Sequence, residues 1–96
     1  MTRYRLSNAA KEDLIRIHHF GIIRFGETQA DLYFEEFFRA FEKIADNPYS
    51  YESVNHIRAS YRKCPCGSDT IYFRITDDNI EIMAIIGRQD LKNIFK

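Results

Sequence analysis

The chain has 96 residues, enough for one domain and one core but not a second. Its apolar content of 45% is ordinary for a globular protein and too high for a disordered one. Fourteen basic and fourteen acidic side chains cancel, so net charge does not demand nucleic acid, and no apolar run is long enough to span a bilayer.

The first thirteen residues turn charged at once and carry no signal-peptide core, so the chain is expected to stay in the cytoplasm. Arg3-Tyr4-Arg5-Leu6 alternates polar and apolar and predicts a short first strand. Ser7 follows where a helix N-cap is wanted, ahead of Ala9-Ala10 and an acidic pair, Glu12-Asp13, expected in the first turn. Ala10, Leu14, Ile17, Gly21 and Phe25 recur at spacings of three or four and make one helical stripe, which Gly26 ends. Thr28 opens a second helix, with Asp31 where a capping box has Glu. The stripe of that helix is Ala30, Tyr33, Phe37, Phe41 and Ile44, widened by Phe34, Phe38 and Ala45. So broad a face suits an element packed on both the first helix and a sheet. Asn47-Pro48 stops it. The short connection at Gly26-Glu27 makes the helices an antiparallel hairpin, and residues 49–56 read as an irregular link.

Residues 57–90 are the stretch the rest serves. They read as three short strands joined by two tight turns, with strong β-formers over 71–76 and almost continuous apolar sequence over 80–86. With Asp78-Asn79 as a two-residue loop, Asp77 faces Ile80, Ile75 faces Ile82, Phe73 faces Ala84 and Ile71 faces Ile86. That register gathers the large apolar residues on one face. It leaves Tyr72, Arg74 and Thr76 with Glu81, Met83 and Ile85 on the other, a mixed face that is either wet or covered by a partner. The class is α+β: a helical hairpin on one face of a small, mainly antiparallel sheet.

Nothing in the chain announces catalysis. His18 and His19 are helical neighbours pointing about 100° apart, so they cannot both face one metal, and a solvated or boundary helix position fits them. His56 lies alone in the link, no glycine-rich phosphate loop is present, and no nucleophile–histidine pattern is legible. Cys64 and Cys66 flank Pro65, fit a reducing compartment as free thiols, and lack the further His or Cys a zinc site needs. Arg58, Arg62, Arg74 and Arg88 recur between aromatic and β-branched residues. They are either structural surface pairs, such as Arg74 with Glu81 and Arg88 with Asp90, or a strip for phosphates or an acidic protein surface.

Particular words, in this order, resemble the ParE toxins of the RelE/ParE superfamily of bacterial toxin–antitoxin proteins. Tyr4-Arg5-Leu6-Ser7 with Ala9-Ala10 and Asp13-Leu14 is similar to the family's opening strand and helix start. Gly26, Gln29-Ala30 and Tyr33 resemble its interhelical turn and second helix, and Asn47-Pro48 its helix end. Ile57-Arg58, Tyr61-Arg62-Lys63, Pro65 and Gly67-Ser68 resemble its central strand and turn. Ile71-Tyr72-Phe73-Arg74 with Asp77-Asp78 is like its hairpin, and Gly87-Arg88-Gln89-Asp90 like its closing motif. The likeness runs over almost the whole chain and implies a single domain over 1–96 with the order β-α-α-β-β-β.

The resemblance further implies a toxin that binds DNA gyrase and stalls it on cleaved DNA, with no cofactor, metal or catalytic residue of its own. It implies neutralisation by a ParD-like antitoxin in a hetero-oligomer, with operator DNA met only through the antitoxin. Arg62, Arg74, Arg88 and Asp90 are the residues expected at the target, and Tyr33, Phe34, Phe38, Tyr72 and Arg58 those expected at the antitoxin. The chain departs from the pattern at Asp69 and Ile86, where many relatives carry His, and at Cys64, where an aromatic is usual. Ile86 removes a candidate proton carrier. The alternative functions are a RelE-like ribosome-dependent mRNA endonuclease, for which Ile94-Phe95-Lys96 offers no titratable aromatic, and a non-toxic antitoxin-binding relative.

Overall fold

A computed structural model describes residues 3–77 and 79–87. Strand β1 (Tyr4–Leu6) leads into helix α1 (Asn8–Phe25), which begins where Ser7 Oγ accepts the Ala10 N–H at 3.0 Å. The helix starts one residue after Ser7, so Glu12 and Asp13 fall beyond its first turn, correcting their expected place. Gly26, at φ 90°, closes α1 and is at once the N-cap of α2 (Glu27–Asp46). A single residue therefore serves both helix ends. Thr28 lies inside α2 instead of capping it, and Asp31 is spent on α1, where its Oδ1 lies 2.8 Å from His18 Nε2.

A short 3-10 turn (Pro48–Ser50) and β2 (Glu52–Ser53) follow, in the stretch read as irregular. Residues 57–60 fold into a turn, correcting the expected strand at Ile57-Arg58. The chain doubles back because both the Ile57 and Arg58 N–H groups bond to the Val54 carbonyl, at 2.8 and 3.0 Å. β3 (Tyr61–Cys66), β4 (Asp69–Ile75) and β5 (Ile80–Gly87) complete a sheet of order β1-β5-β4-β3-β2. β1 runs parallel to β5 and the other pairings are antiparallel. Both edge strands are short, and β2 pairs only with Arg62 and Lys63, so among the described residues β3 from Cys64 through Pro65 to Cys66 has β4 on one side and no strand on the other.

The β4–β5 register differs from the one expected. Ile75 meets Ile80 and Phe73 meets Ile82, because the tip closes at Thr76 and Asn79. There the Thr76 N–H and hydroxyl both donate to the Asn79 carbonyl, at 2.8 and 2.9 Å, and Asn79 Oδ1 accepts the Ile80 N–H. Beyond Phe73 the pairing slips at a β-bulge, so Tyr72 meets Ala84 and Ile71 meets Ile85. Met83 is the extra residue, and the slip reverses which face follows. Ile85 turns to the helices and Ile86 away from them, opposite to expectation. Helix α1 satisfies the backbone groups the bulge frees. Ser7 Oγ donates to the Met83 carbonyl at 2.9 Å, and Asp13 Oδ2 accepts the Ile85 N–H at 2.9 Å.

Alternation then divides the apolar residues between two layers. Phe37, Phe41 and Ile44 of α2 meet Ile71, Phe73, Ile82 and Ile85 in the main core. Each such side chain fully removed from water contributes roughly 1.5–3 kcal/mol. On the far face a smaller cluster joins Val54, Tyr72 and Ile86, flanked by Ile57. The chain's own loop after β2 thus covers part of the face that was expected to be wet or covered by a partner. Among the described residues no helix is long and apolar enough to cross a membrane.

Candidate functional site

Two concave regions lie at opposite ends of the sheet. The first, about 560 Å³, sits beneath the turn of the helical hairpin, between Phe20 and Phe25 on one side and Tyr33, Ser68 and Asp69 on the other. Its floor is set by the β3–β4 turn. Gly67 adopts φ 61° and leaves no space for a Cβ, which would stand 2.4 Å from the Tyr33 ring. The Tyr33 hydroxyl lies 2.8 Å from Asp69 Oδ2 and 2.9 Å from the Cys66 carbonyl, both acceptors for its one proton, and it accepts the Ser68 N–H at 3.2 Å. Burial, reinforced by the bond to the Asp69 carboxylate, pushes the phenol up to about 12. Tyr33 is a pin between α2 and the turn, and at neutral pH it is no base.

The neighbouring thiols are equally unreactive. Burial, with the adjacent Cys64, pushes Cys66 up to about 11, and burial raises Cys64 as well. Both are free thiols, and among the described residues no group of three or more His, Cys, Asp or Glu is placed to hold a metal ion. Asp69 and Ile86, the two positions at which the resemblance leads to an expectation of His, lie apart. Asp69 bonds Tyr33 at the first cavity, whereas Ile86 is buried against Val54 and Tyr72 on the far face.

The second region, about 520 Å³, is polar and lies beside the β4–β5 tip, lined by Tyr49, Ser53, Asn55, Ser60, Arg62 and Asp77 among others. Arg62 is half-buried there; it donates to the Tyr51 carbonyl at 2.7 Å and lies 5.3 Å from the centre of the Tyr49 ring. Asn55 Oδ1 accepts the Ser60 N–H at 2.7 Å and holds Ser60 at φ 70°, which shapes the rim.

The expected target residues do not form one strip. Arg62 is paired with Phe73 and lies on the helix side of the sheet, whereas Arg74 pairs with Tyr61 and Glu81 on the far side. Arg74 is bound by two of its nitrogens to Glu81 Oε1, at 2.8 and 2.9 Å, which favours the structural reading of that pair. Arg88 and Asp90 lie outside the described residues. The expected antitoxin residues also divide. Tyr33, Phe34 and Phe38 are half-buried along α2, with Phe38 tilted onto both Phe34 and Phe41. Tyr72 is 3% exposed, and its ring packs the far cluster with Val54 and Ile86. Arg58 lies over Tyr61 on that same far side.

Periodicity missed the apolar residues that α1 leaves outside. Ile15, Phe20 and Ile23 are exposed, and so is Phe25, which the stripe had placed inward. The signal was present, since three of these four belong to no stripe yet are large and apolar. Gly21 does sit on the inner face, where a Cβ would meet that of Ala30 at 3.2 Å, so glycine there lets the helices approach.

A family model described as the ParE toxin of the type II toxin–antitoxin system, parDE, matches residues 4–92. The chain is 35% identical over 86 residues to Toxin ParE1 of Caulobacter vibrioides, covering 90% of this chain and 88% of that protein. It is 34% identical over 86 residues to Toxin ParE1 of Mycobacterium tuberculosis, covering 88% of each. Among solved structures, a chain of the chromosomal ParDE system from P. aeruginosa superposes with a TM-score of 0.79 at 15% identity, over 91% of this chain and 96% of that one. A conserved hypothetical protein from Helicobacter pylori follows at 0.58 and 13%, over 93% and 97%. At those identities the two structures speak for the fold alone; this chain has the expected order β-α-α-β-β-β with the two-residue β2 added after the helices.

Proposed function

This chain belongs to the ParE toxin family of type II toxin–antitoxin systems, and from that premise we propose that it arrests growth by binding DNA gyrase, with no bond broken by its own side chains. The observation that carries the reading is the family match over residues 4–92. The site chemistry supports binding over catalysis. The phenol and thiol nearest the first cavity are both held protonated well above neutral pH by burial. A general base poised near neutrality would need the opposite shift.

Its partner in the resting cell is a ParD-like antitoxin. The exposed apolar residues of α1, Ile15, Phe20 and Ile23, give an amphipathic peptide anchors that cost the toxin no core packing. Tyr33, Phe34 and Phe38 border the same hairpin and add to that surface only through their exposed edges. Expression without the antitoxin is expected to stop growth and raise DNA-break signalling, and the purified chain to inhibit gyrase supercoiling. Unaltered supercoiling across a wide concentration range, together with discrete codon-linked cuts in translated message, would reject gyrase in favour of an mRNA endonuclease.

A further inference from the structure

Resting on the reading of this chain as a toxin that binds a protein target, we propose that the Arg62 cavity is the anchor for an aspartate or glutamate side chain on that target, with Tyr49 packed beside it. Arg62 is positioned by groups that leave its charge uncancelled. One nitrogen donates to the Tyr51 carbonyl at 2.7 Å and the Tyr49 ring lies 5.3 Å away. No carboxylate stands within 4.0 Å of it among the described residues, whereas Arg3, Arg16, Arg39 and Arg74 each pair with one, Asp46, Asp13, Glu35 and Glu81 respectively. The guanidinium has several N–H donors in a planar fork, so the Tyr51 bond uses only part of it and preorganises the rest. A half-buried, aligned arginine with no ion-pair partner among the described residues, in a cavity of about 520 Å³, can take a single carboxylate.

The surroundings select which anion. Ser53, Asn55 and Ser60 line the same cavity with hydroxyl and amide groups, and so does Asp77. One arginine and one aspartate give no accumulation of positive charge, while a nucleic-acid backbone is held by several cations neutralising successive phosphates. A single carboxylate matches the fork and avoids the second negative group a phosphodiester chain would bring. Tyr49 is 70% exposed and takes no part in the core. Arginine and tyrosine side by side are the residue types that dominate binding energy at protein interfaces.

Three variants test this: Arg62→Lys, Arg62→Gln and Tyr49→Ala, each checked by a circular dichroism melt. In a gyrase supercoiling assay the wild-type chain is expected to inhibit, Arg62→Lys to need about tenfold more protein, and Arg62→Gln more still. Tyr49→Ala, which should melt as wild type does, is expected to lose at least about threefold. Folded Arg62 variants that inhibit like wild type would overturn the proposal. If wild type itself fails to inhibit gyrase, the target reading is wrong, and the cavity is judged separately by nitrogen-15 NMR titration. Adding the peptide N-acetyl-Glu-Tyr-amide should then move the Arg62 side-chain N–H and the Ser53 and Ser60 amides. No movement, or stronger movement with a single-stranded DNA oligonucleotide, overturns the carboxylate assignment, the latter in favour of nucleic acid.

Discussion

Replacing Gly67 by alanine isolates what the Tyr33 pin does. The glycine sits at φ 61°, where an L-residue pays roughly 1–2 kcal/mol, and its new Cβ would lie 2.4 Å from Tyr33 Cε1 and 2.7 Å from the hydroxyl. No such contact survives, so the ring has to swing out of its place against Phe37, where the two ring centres are 4.8 Å apart. The one proton it shares between Asp69 and Cys66 and the bond it accepts from Ser68 go with it, at roughly 0.5–1.5 kcal/mol each, and so does the edge contact, worth about as much again. Partial rearrangement leaves an expected loss of about 3–5 kcal/mol, a large part of the 5–15 kcal/mol typical of a domain. Urea denaturation followed by circular dichroism measures it. In a Tyr33→Ala background the collision vanishes and only the backbone cost, about 1–2 kcal/mol, should persist. Equal losses in the two backgrounds would refute the steric argument.

Asp13→Ala leaves the Ile85 N–H of the bulge without its carboxylate and should cost about 1–3 kcal/mol in the same assay; a change below about 0.5 kcal/mol would deny the helix its role in holding the bulge. Tyr33 holds its proton more tightly folded than unfolded, so its contribution is complete below about pH 10 and fades as pH rises through about 12. The stability gap between wild type and Tyr33→Phe should therefore shrink by roughly 2 kcal/mol over that window, the other tyrosines cancelling in the difference; a constant gap contradicts the shift. Ile23→Ser, at a residue 78% exposed, should leave the melt unchanged and weaken antitoxin binding. Phe38→Ser, packed on Phe41, should lower the melt by several degrees; an unchanged melt would place Phe38 outside the core.

Local chemistry was legible where its consequences are local. Ser7 and Gly26 mark their helix ends in the sequence and do so in the fold, and the α2 stripe from Ala30 to Ile44 is the inner face. The sheet register was not legible, because its determinants sit far away in the chain. A bulge at Met83 is unfavourable within β5 alone; Ser7 and Asp13, some seventy positions earlier, supply the partners that make it tolerable. The hairpin tip misled for a nearer reason. The sequence puts Asn79 inside a two-residue loop with Asp78, whereas its carbonyl closes the pair with Thr76. Of the site residues, Arg62 could be picked from the sequence, but the cavity could not. Its walls come from the link before β3 and the β4 tip, which periodicity does not bring together.

Among the described residues the outer margin of β3 from Cys64 to Cys66 is bare, which has a bearing on how this protein survives on its own. An unaccompanied strand margin is a template on which identical copies stack into fibrils, and a toxin that acts only after release from its antitoxin must stay dispersed meanwhile. Pro65, with no amide hydrogen, sits in the middle of that margin and interrupts the ladder a second copy would need. Replacing it with threonine would be expected to leave the monomer intact and turn a dilute solution cloudy.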